Sequence, residues 1–513
     1  MIHDLASDRP PPQAGLFDVA VVGAGIAGSI LACELASAGK RVVLLESGGR
    51  AQESDTHPLN RVVQVGAGYR GAEHGRFRCL GGTSTRWGGA LIPFRREDVD
   101  PAWPIRHAEL VDYLPRAEAL FSLPAGDYEL PDAEHELIGA AAPFRIRAAK
   151  WPTFARRNVA RLLEAPLQSA QGPDVWLNAT LTAIRLGEDG RVQFLEARGP
   201  GAKVQLRARE VVLAAGAIES TRLLLKLDAD HGRQVFNGHD VLGRYFHDHL
   251  SAPMARIVAP RRQALTRLTG FRFEASGMRN VRFELDRASP VHAGLPGTFV
   301  HVVCEAEAPG GFDALRGIYR ALQRRAWPAS QDLLQLACHS GWFARAAWTR
   351  VAERRVLPPD DGRFDMHVVT EQRPVPGNRI TLSDTERDEF GTPLAHIDWR
   401  VSDADIAGAE AVLGEFARFW AGRPCEKLGR LEVDGRDCWA GKLAGCGGIY
   451  HPGGSARMGT SAVTAVVDRD LRVFGVPNLR VLSTAVFPTG GSANPTLTLI
   501  LLALRTAEQL RRT

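Results

Sequence analysis

The chain has 513 residues, 45% hydrophobic and 24% charged, which is the make-up of a soluble globular protein too long for one simple core; two domains are expected. The net charge of +5 comes with only six Lys among 63 basic residues, and the Arg are scattered with no basic run interleaved with aromatics, so a nucleic-acid-binding protein is excluded. Seven dispersed cysteines (33, 79, 304, 338, 425, 438 and 446) without a C-x-x-C pair argue against a disulfide framework or zinc site and fit reduced thiols in the cytoplasm.

No stretch is long and apolar enough to span a bilayer, and the lead "MIHDLASDRPPPQAGLF" has no basic segment followed by an apolar run. Next comes "FDVAVVGAG", a short apolar run suited to a buried parallel strand. The helix "AGSILACELASAG" follows, then a second strand, "RVVLLE", ending at Glu46. "REVVLAAGAIESTRLLLKL" (209–227) repeats the strand–turn–helix theme, with its turn at Gly216. Residues 251–445 have another texture: "RFDMHVVTEQRPVPGNRITLSD" and "TPLAHIDWRVS" read as extended strands of an antiparallel sheet. Within them, 311–355 is helical and Arg-rich, either a cover for one face of that sheet or a basic amphipathic surface for a membrane or partner subunit. "LRVLSTAVF" (479–487) is a further strand, leading to the apolar helix "TLTLILLALRTAEQL".

The expected class is therefore α/β. A Rossmann-like domain is assembled from 16–250, with cover segments near 50–150, and from 446–513, with an α+β domain on an antiparallel sheet inserted at 251–445.

Gly23, Gly25 and Gly28 form G-x-G-x-x-G between strand and helix. The first permits a tight turn, the second lets backbone approach a pyrophosphate, and the third lets helix pack on strand. Glu46 ends the second strand 18 residues past Gly28, where an acid holds ribose hydroxyls. This motif alone does not separate NAD from FAD; its place at the head of a long chain whose last strand lies at the far end leans to FAD.

This fingerprint, "GGTSTRWGG" (81–89), "AAGAIESTRLLL" (214–225), "GRYFHDH" (243–249), "HPGGSARMG" from His451 and "FPTGGSANPTLT" containing Asn494 together resemble the glucose–methanol–choline (GMC) oxidoreductases, in the right order over nearly the whole chain. The likeness is strongest to the bacterial sugar and alcohol dehydrogenase branch that includes the pyranose oxidases. It implies FAD, with Gly82, Thr83, Arg86 and Trp87 along the flavin, Val175 against the adenine by its backbone, Ala215 and Ala485 in the cofactor site, and Thr496 of "NPT" near the pyrimidine end. In the pyranose oxidases the residue before the motif's Trp is a flavin-linked histidine; here it is Arg86, so the FAD is expected to be held without that covalent bond. Ser483-Thr484-Ala485 stands where many members have Asp-x-Ser, which puts one flavin contact in question.

Oxidising an alcohol requires the hydroxyl proton to leave as hydride departs. A neutral imidazole can take that proton, and an amide can orient the same oxygen. The resemblance assigns these roles to His451 and Asn494, 43 residues apart. His247 and His249 in "FHDH" look like part of a structural motif without a third ligand, so no metal is expected. The expected activity is FAD-dependent oxidation of a sugar, polyol, glycoside or other alcohol to a carbonyl. A lyase or light-driven decarboxylase on the same scaffold and a flavoprotein subunit of an electron-transfer complex are the alternatives. Oxygen, a quinone and a cytochrome all remain open as acceptor, as does a small partner subunit.

Overall fold

The computed structural model describes residues 1–7, 15–52, 56–100, 102–129, 143–236, 238–259, 261–308, 310–324 and 327–512. The prolines of the lead and residues 130–142 of the cover segment lie outside the described residues. The chain opens with a strand not foreseen in the sequence, β1 (Ile2–Asp4). The first buried run then becomes β2 (Phe17–Val22), and α1 (Ile26–Ser37) leads to β3 (Val42–Leu45). Nearly every side chain of β2 and β3 is buried, as a parallel strand covered on both faces requires. Strand β4 (Phe144–Pro152) leaves for the second sheet. Next come β5 (Asp174–Leu177), β6 (Ala208–Leu213) and α2 (Gly216–Asp230).

The inserted region supplies β7 (His249–Val258), β8 (Gly277–Leu285), β9 (Thr298–Glu305), β10 (Arg363–Glu371) and α3 (Asp403–Ala421). The chain then returns with β11 (Leu479–Val481) and α4 (Thr496–Arg511). β11 is shorter than the expected 479–487, because Ser483 accepts from the Ala485 N–H at 3.3 Å and turns the chain. The first sheet runs β1-β5-β3-β2-β6-β11, parallel throughout, so segments from both ends and the middle of the sequence share one layer.

The second sheet is antiparallel and seven-stranded, centred on β8-β9-β10-β7, with β4 paired to β8. It therefore takes one strand from 144–152, outside the inserted segment. Its two faces differ by strict alternation. Phe283, Val300, Val368 and Leu250 point one way and pack with Phe416, Phe419 and Trp420 of α3. The other face carries Arg282, Glu284, Phe299, His301, His367, Glu371 and His249, as the cross-strand pairs Glu284–Phe299, His301–His367 and His249–Glu371 require. This polar face looks onto the cofactor domain.

Two expectations are corrected here. The sheet's apolar face is covered by α3, not by 311–355, whose helices Gly311–Arg324, Ser330–Cys338 and Ser340–Trp348 pack on one another and leave Trp348 70% exposed. The strands at 379–387 and 393–399 also leave the large sheet and form a small one with 62–66. Among the described residues, no helix is long and apolar enough to cross a membrane.

Candidate active site

The glycine loop at the carboxyl end of β2 has the shape a dinucleotide needs. A Cβ on Gly28 would lie 2.0 Å from the Gly23 carbonyl oxygen, so only glycine lets α1 pack this closely. A Cβ on Gly25 would meet no protein atom within 4 Å; the space in front of the helix N-terminus is open. α1 has no side-chain cap and no acid in its first turn, which leaves its first N–H groups to a phosphate. Glu46 is buried beside this loop, accepting from Ala24 N at 2.9 Å and Gly48 N at 3.0 Å, and burial pushes its pKa up. The turn carrying Gly82 lies directly on the loop: a Cβ there would come within 2.9 Å of Gly25 Cα, and the Gly81 N–H donates to Ala24 O. Thr83 is exposed at this turn. The donor set and open cradle fit the pyrophosphate and ribose of a dinucleotide.

At the other side of the cradle the "FHDH" and "HPGG" segments bind each other. His247 and Gly453 exchange two backbone hydrogen bonds, 3.1 and 2.8 Å. The His247 ring fills the room that the two glycines leave; a Cβ on Gly454 would come within 2.4 Å of its Nδ1. Asp248 anchors the same segment from below. Its carboxylate accepts from the backbone N–H of His249 (2.6 Å), His451 (3.0 Å) and Ile449 (3.3 Å) and from the Tyr69 hydroxyl (2.5 Å). Burial raises Asp248 to about 6 and holds the Tyr69 phenol well above its ordinary value.

His451 and Asn494 meet at 3.3 Å, Nε2 to Nδ2. Their protons are assigned by neighbours. Gly491 O can only accept, so the His249 Nε2–H donates to it at 2.9 Å. Neutral His249 therefore presents a lone pair at Nδ1, 3.3 Å from His451 Nδ1, and the shared proton belongs to His451. That leaves the lone pair of His451 on Nε2, facing Asn494. Arg282 Nη2 can only donate, so it takes Asn494 Oδ1 at 2.7 Å and turns the Nδ2 donor toward His451. Burial holds His451 well below the usual imidazole range, and the neighbouring His249 and the charged Arg282 guanidinium, which disfavour a second cation here, act in the same direction. The base is thus kept neutral, with its lone pair toward Asn494 Nδ2.

The loop bearing Asn494 is pinned on either side. Gly491 N donates to Glu371 Oε2 at 2.7 Å, and Ser492 Oγ donates to Asp98 Oδ2 at 2.7 Å. Asp248, His249 and His451 also bring one ligand-type atom each within 4.8 Å of one another, a grouping that leaves out His247, the other histidine of the motif. Each of those atoms is engaged in the hydrogen bonds above.

The remaining expected residues lie as follows. Ala215 immediately precedes α2, and Thr496 opens α4. Ala485 is buried, its carbonyl accepting from Ala456 N at 2.9 Å. Trp87 donates through Nε1 to Arg157 O at 2.7 Å. Arg86 reaches Gln52 at 2.8 Å and stacks on Phe77. Val175 is a correction: it is fully buried inside β5, between β1 and β3, and its N–H donates to Met1 O at 2.7 Å, so its backbone is not free to read an adenine. The unforeseen β1 takes that edge.

Tyr69, Asp248, His249 and Arg282 were not singled out as functional from the sequence. "FHDH" was a usable signal for two of them; Arg282, in an ordinary strand, gave none. A surface cavity of about 870 Å³ among Asp18, Lys40, Arg209, Glu210 and Asn478 opens at the opposite ends of β2 and β6 and includes none of these residues.

Comparison with known proteins agrees with this geometry. Residues 18–269 match the family model of FAD dependent oxidoreductases, and 374–503 match the GMC oxidoreductase model. The chain is 24% identical to 6'''-hydroxyparomomycin C oxidase of Streptomyces lividus, over 98% of this chain and 92% of that one. It is 25% identical to paromamine 6'-oxidase of Streptomyces fradiae, over 96% and 91%. Its fold matches the crystal structure of pyridoxine 4-oxidase from Mesorbium loti with a TM-score of 0.60 at 15% identity, over 97% of this chain and 99% of that one. The dinucleotide cradle is thus an FAD site, and the chain joins an FAD dependent oxidoreductase domain at residues 18–269 to a GMC oxidoreductase domain at residues 374–503.

Proposed function

We propose that the enzyme oxidises a CH–OH group of a sugar, polyol, glycoside or related alcohol to a carbonyl, with His451 as general base and Asn494 orienting the alcohol. The observation that carries this reading is the 3.3 Å meeting of His451 Nε2 and Asn494 Nδ2, with the lone pair of one and the donor of the other turned toward each other by His249 and Arg282. Bound FAD supplies the acceptor for the hydride that leaves the carbinol carbon.

The chain's own residues handle the proton. The alcohol O–H points at His451 Nε2 while Asn494 Nδ2 donates to the same oxygen, so the group is held with its proton on the base and its carbon fixed in place. When Nε2 gains the proton, the Nδ1–H of His451 continues to donate to His249 Nδ1, which stabilises the imidazolium. Asp248 and Tyr69 hold the backbone of the His451 loop, so the imidazole is placed before substrate arrives. The two oxidase relatives support an alcohol on a sugar-type molecule as the substrate class.

The test is anaerobic mixing of the purified, FAD-loaded protein with a panel of alcohols. Bleaching of the flavin absorbance by an alcohol supports the reading. Product formation with a persistently oxidised spectrum would place the chain among non-redox enzymes on this scaffold instead.

A further inference from the structure

We propose that Arg282 anchors a carboxylate of the substrate, so that the preferred alcohol is a hydroxy acid or sugar acid whose carbinol lies beside the acid group. The inference deepens the function above and rests on His451 and Asn494 being the reacting pair.

Arg282 lies on β8, on the polar face of the second sheet, and is 5% exposed. Its guanidinium is ordered from two sides: Nη2 donates to Asn494 Oδ1 at 2.7 Å, and the guanidinium carbon sits 4.0 Å above the centre of the Phe299 ring. Nη1 is shielded from solvent and has no hydrogen-bond partner. Among the described residues Arg282 forms no ion pair, although carboxylates are close. Glu284, on the same strand and face, gives Oε2 to Arg147 Nη1 at 2.6 Å. Asp98 pairs with Arg287, and Glu371 with Arg287 and the N–H groups of Gly297 and Gly491.

Glu284, whose Oε1 is also buried without a partner, offsets part of the burial cost of this guanidinium through space but does not hydrogen-bond it; an incoming anion on Nη1 removes more of that cost. Arg recognises carboxylates through charge-assisted N–H···O bonds, and here one donor remains for that purpose. Because Nη2 is already committed to Asn494, an oxygen on Nη1 lies next to the amide that orients the alcohol. Carboxylate and carbinol then occupy adjacent carbons or carbons one apart. The same charge repels an ammonium group at this position. Farther along the face, the His301 ring packs 5.6 Å from that of Phe299 with Nδ1 unpartnered and buried, a neutral contact for a further hydroxyl.

The experiment titrates acetate and its neutral isostere acetamide into the FAD-loaded protein, following the visible spectrum of the bound flavin and the melting temperature. Acetate is expected to perturb the spectrum and raise the melting temperature, and acetamide to do neither. R282Q should keep flavin and weaken acetate binding by about tenfold or more, and R282K should retain part of it. In matched pairs, glycerate against glycerol and gluconate against glucose, the acid should reduce the flavin with about tenfold higher kcat/KM in wild type, a preference that R282Q loses.

Equal responses to acetate and acetamide in wild type, where no variant has to fold, would overturn the proposal, as would undiminished acetate binding in R282Q. Flavin reduction by neutral alcohols with no acetate response removes the anchor and leaves alcohol oxidation standing. Arg282-dependent acetate binding with no reduction by any alcohol does the reverse.

Discussion

Arg282 and Asn494 share one hydrogen bond, Nη2 to Oδ1 at 2.7 Å, and it decides which end of the Asn494 amide meets His451. Exchanging that amide for a carboxylate keeps the acceptor for Arg282 and deletes the donor to His451. In N494D an anion would sit where Nδ2 now lies, 3.3 Å from Nε2, and favour the imidazolium. His451, now held well below its ordinary pKa, should protonate about 1–2 units higher. Flavin reduction measured from pH 5 to 9 should show its acid limb moved upward by that amount; an unmoved limb would separate Asn494 from His451.

Replacing His451 by Ala removes the proton acceptor and leaves the cradle of Gly23, Gly25, Gly28 and Glu46 intact. H451A should purify yellow, with wild-type flavin content, and reduce its flavin about 10²–10⁴-fold more slowly with substrate. Stopped-flow absorbance under anaerobic conditions measures this. An unchanged rate would exclude His451 as the base.

Two glycines of one motif should fail in different ways. Gly25→Ala places its Cβ in open space, so the protein should fold with near wild-type stability while losing flavin, since the methyl group occupies the phosphate approach. Gly28→Ala drives its Cβ to 2.0 Å from the Gly23 carbonyl oxygen and should lower the melting temperature as well. The ratio of flavin to protein absorbance, read alongside thermal unfolding, tells the two apart. A flavin-replete G25A would contradict the assignment of the cradle.

Burial lowers the pKa of His301 from 6.5 to about 3. The unfolded chain therefore binds a proton here that the folded one refuses, and stability falls as pH drops from about 6.5 toward 3. His247, lowered to about 4, acts in the same direction; Asp248, raised to about 6, acts in the opposite one, losing stability as pH rises through 6. The clean measurement is therefore a difference. His301 Nδ1 has no partner to lose, so H301Q should be less acid-sensitive than wild type, the stability gap between them changing by about 3 kcal/mol between pH 7 and pH 4. Denaturant unfolding at the two pH values checks this, and equal acid sensitivity would refute it.

Much of the cofactor half was legible because its signals are local. A buried strand, a glycine turn and a helix follow one another within residues 17–37, and backbone geometry alone ties the spacing of the three glycines to that turn. The second sheet was legible in kind, though not in extent: nothing in "FRIRAAKWP" at 144–152 announces that it pairs with 277–285. Val175 was misplaced for a similar reason. Its strand reads as apolar, but the neighbour that occupies its backbone edge is the chain terminus, a partner beyond the reach of local pattern.

The sequence by itself determined the dinucleotide loop, the parallel strands drawn from distant segments, and the presence of an imidazole and a carboxamide near the chain's end. Only the tertiary structure decided how those two groups are protonated and turned, because hydrogen-bond direction is set by whichever partner arrives. Here the partners are His249, 202 residues from His451, and Arg282, 212 residues from Asn494.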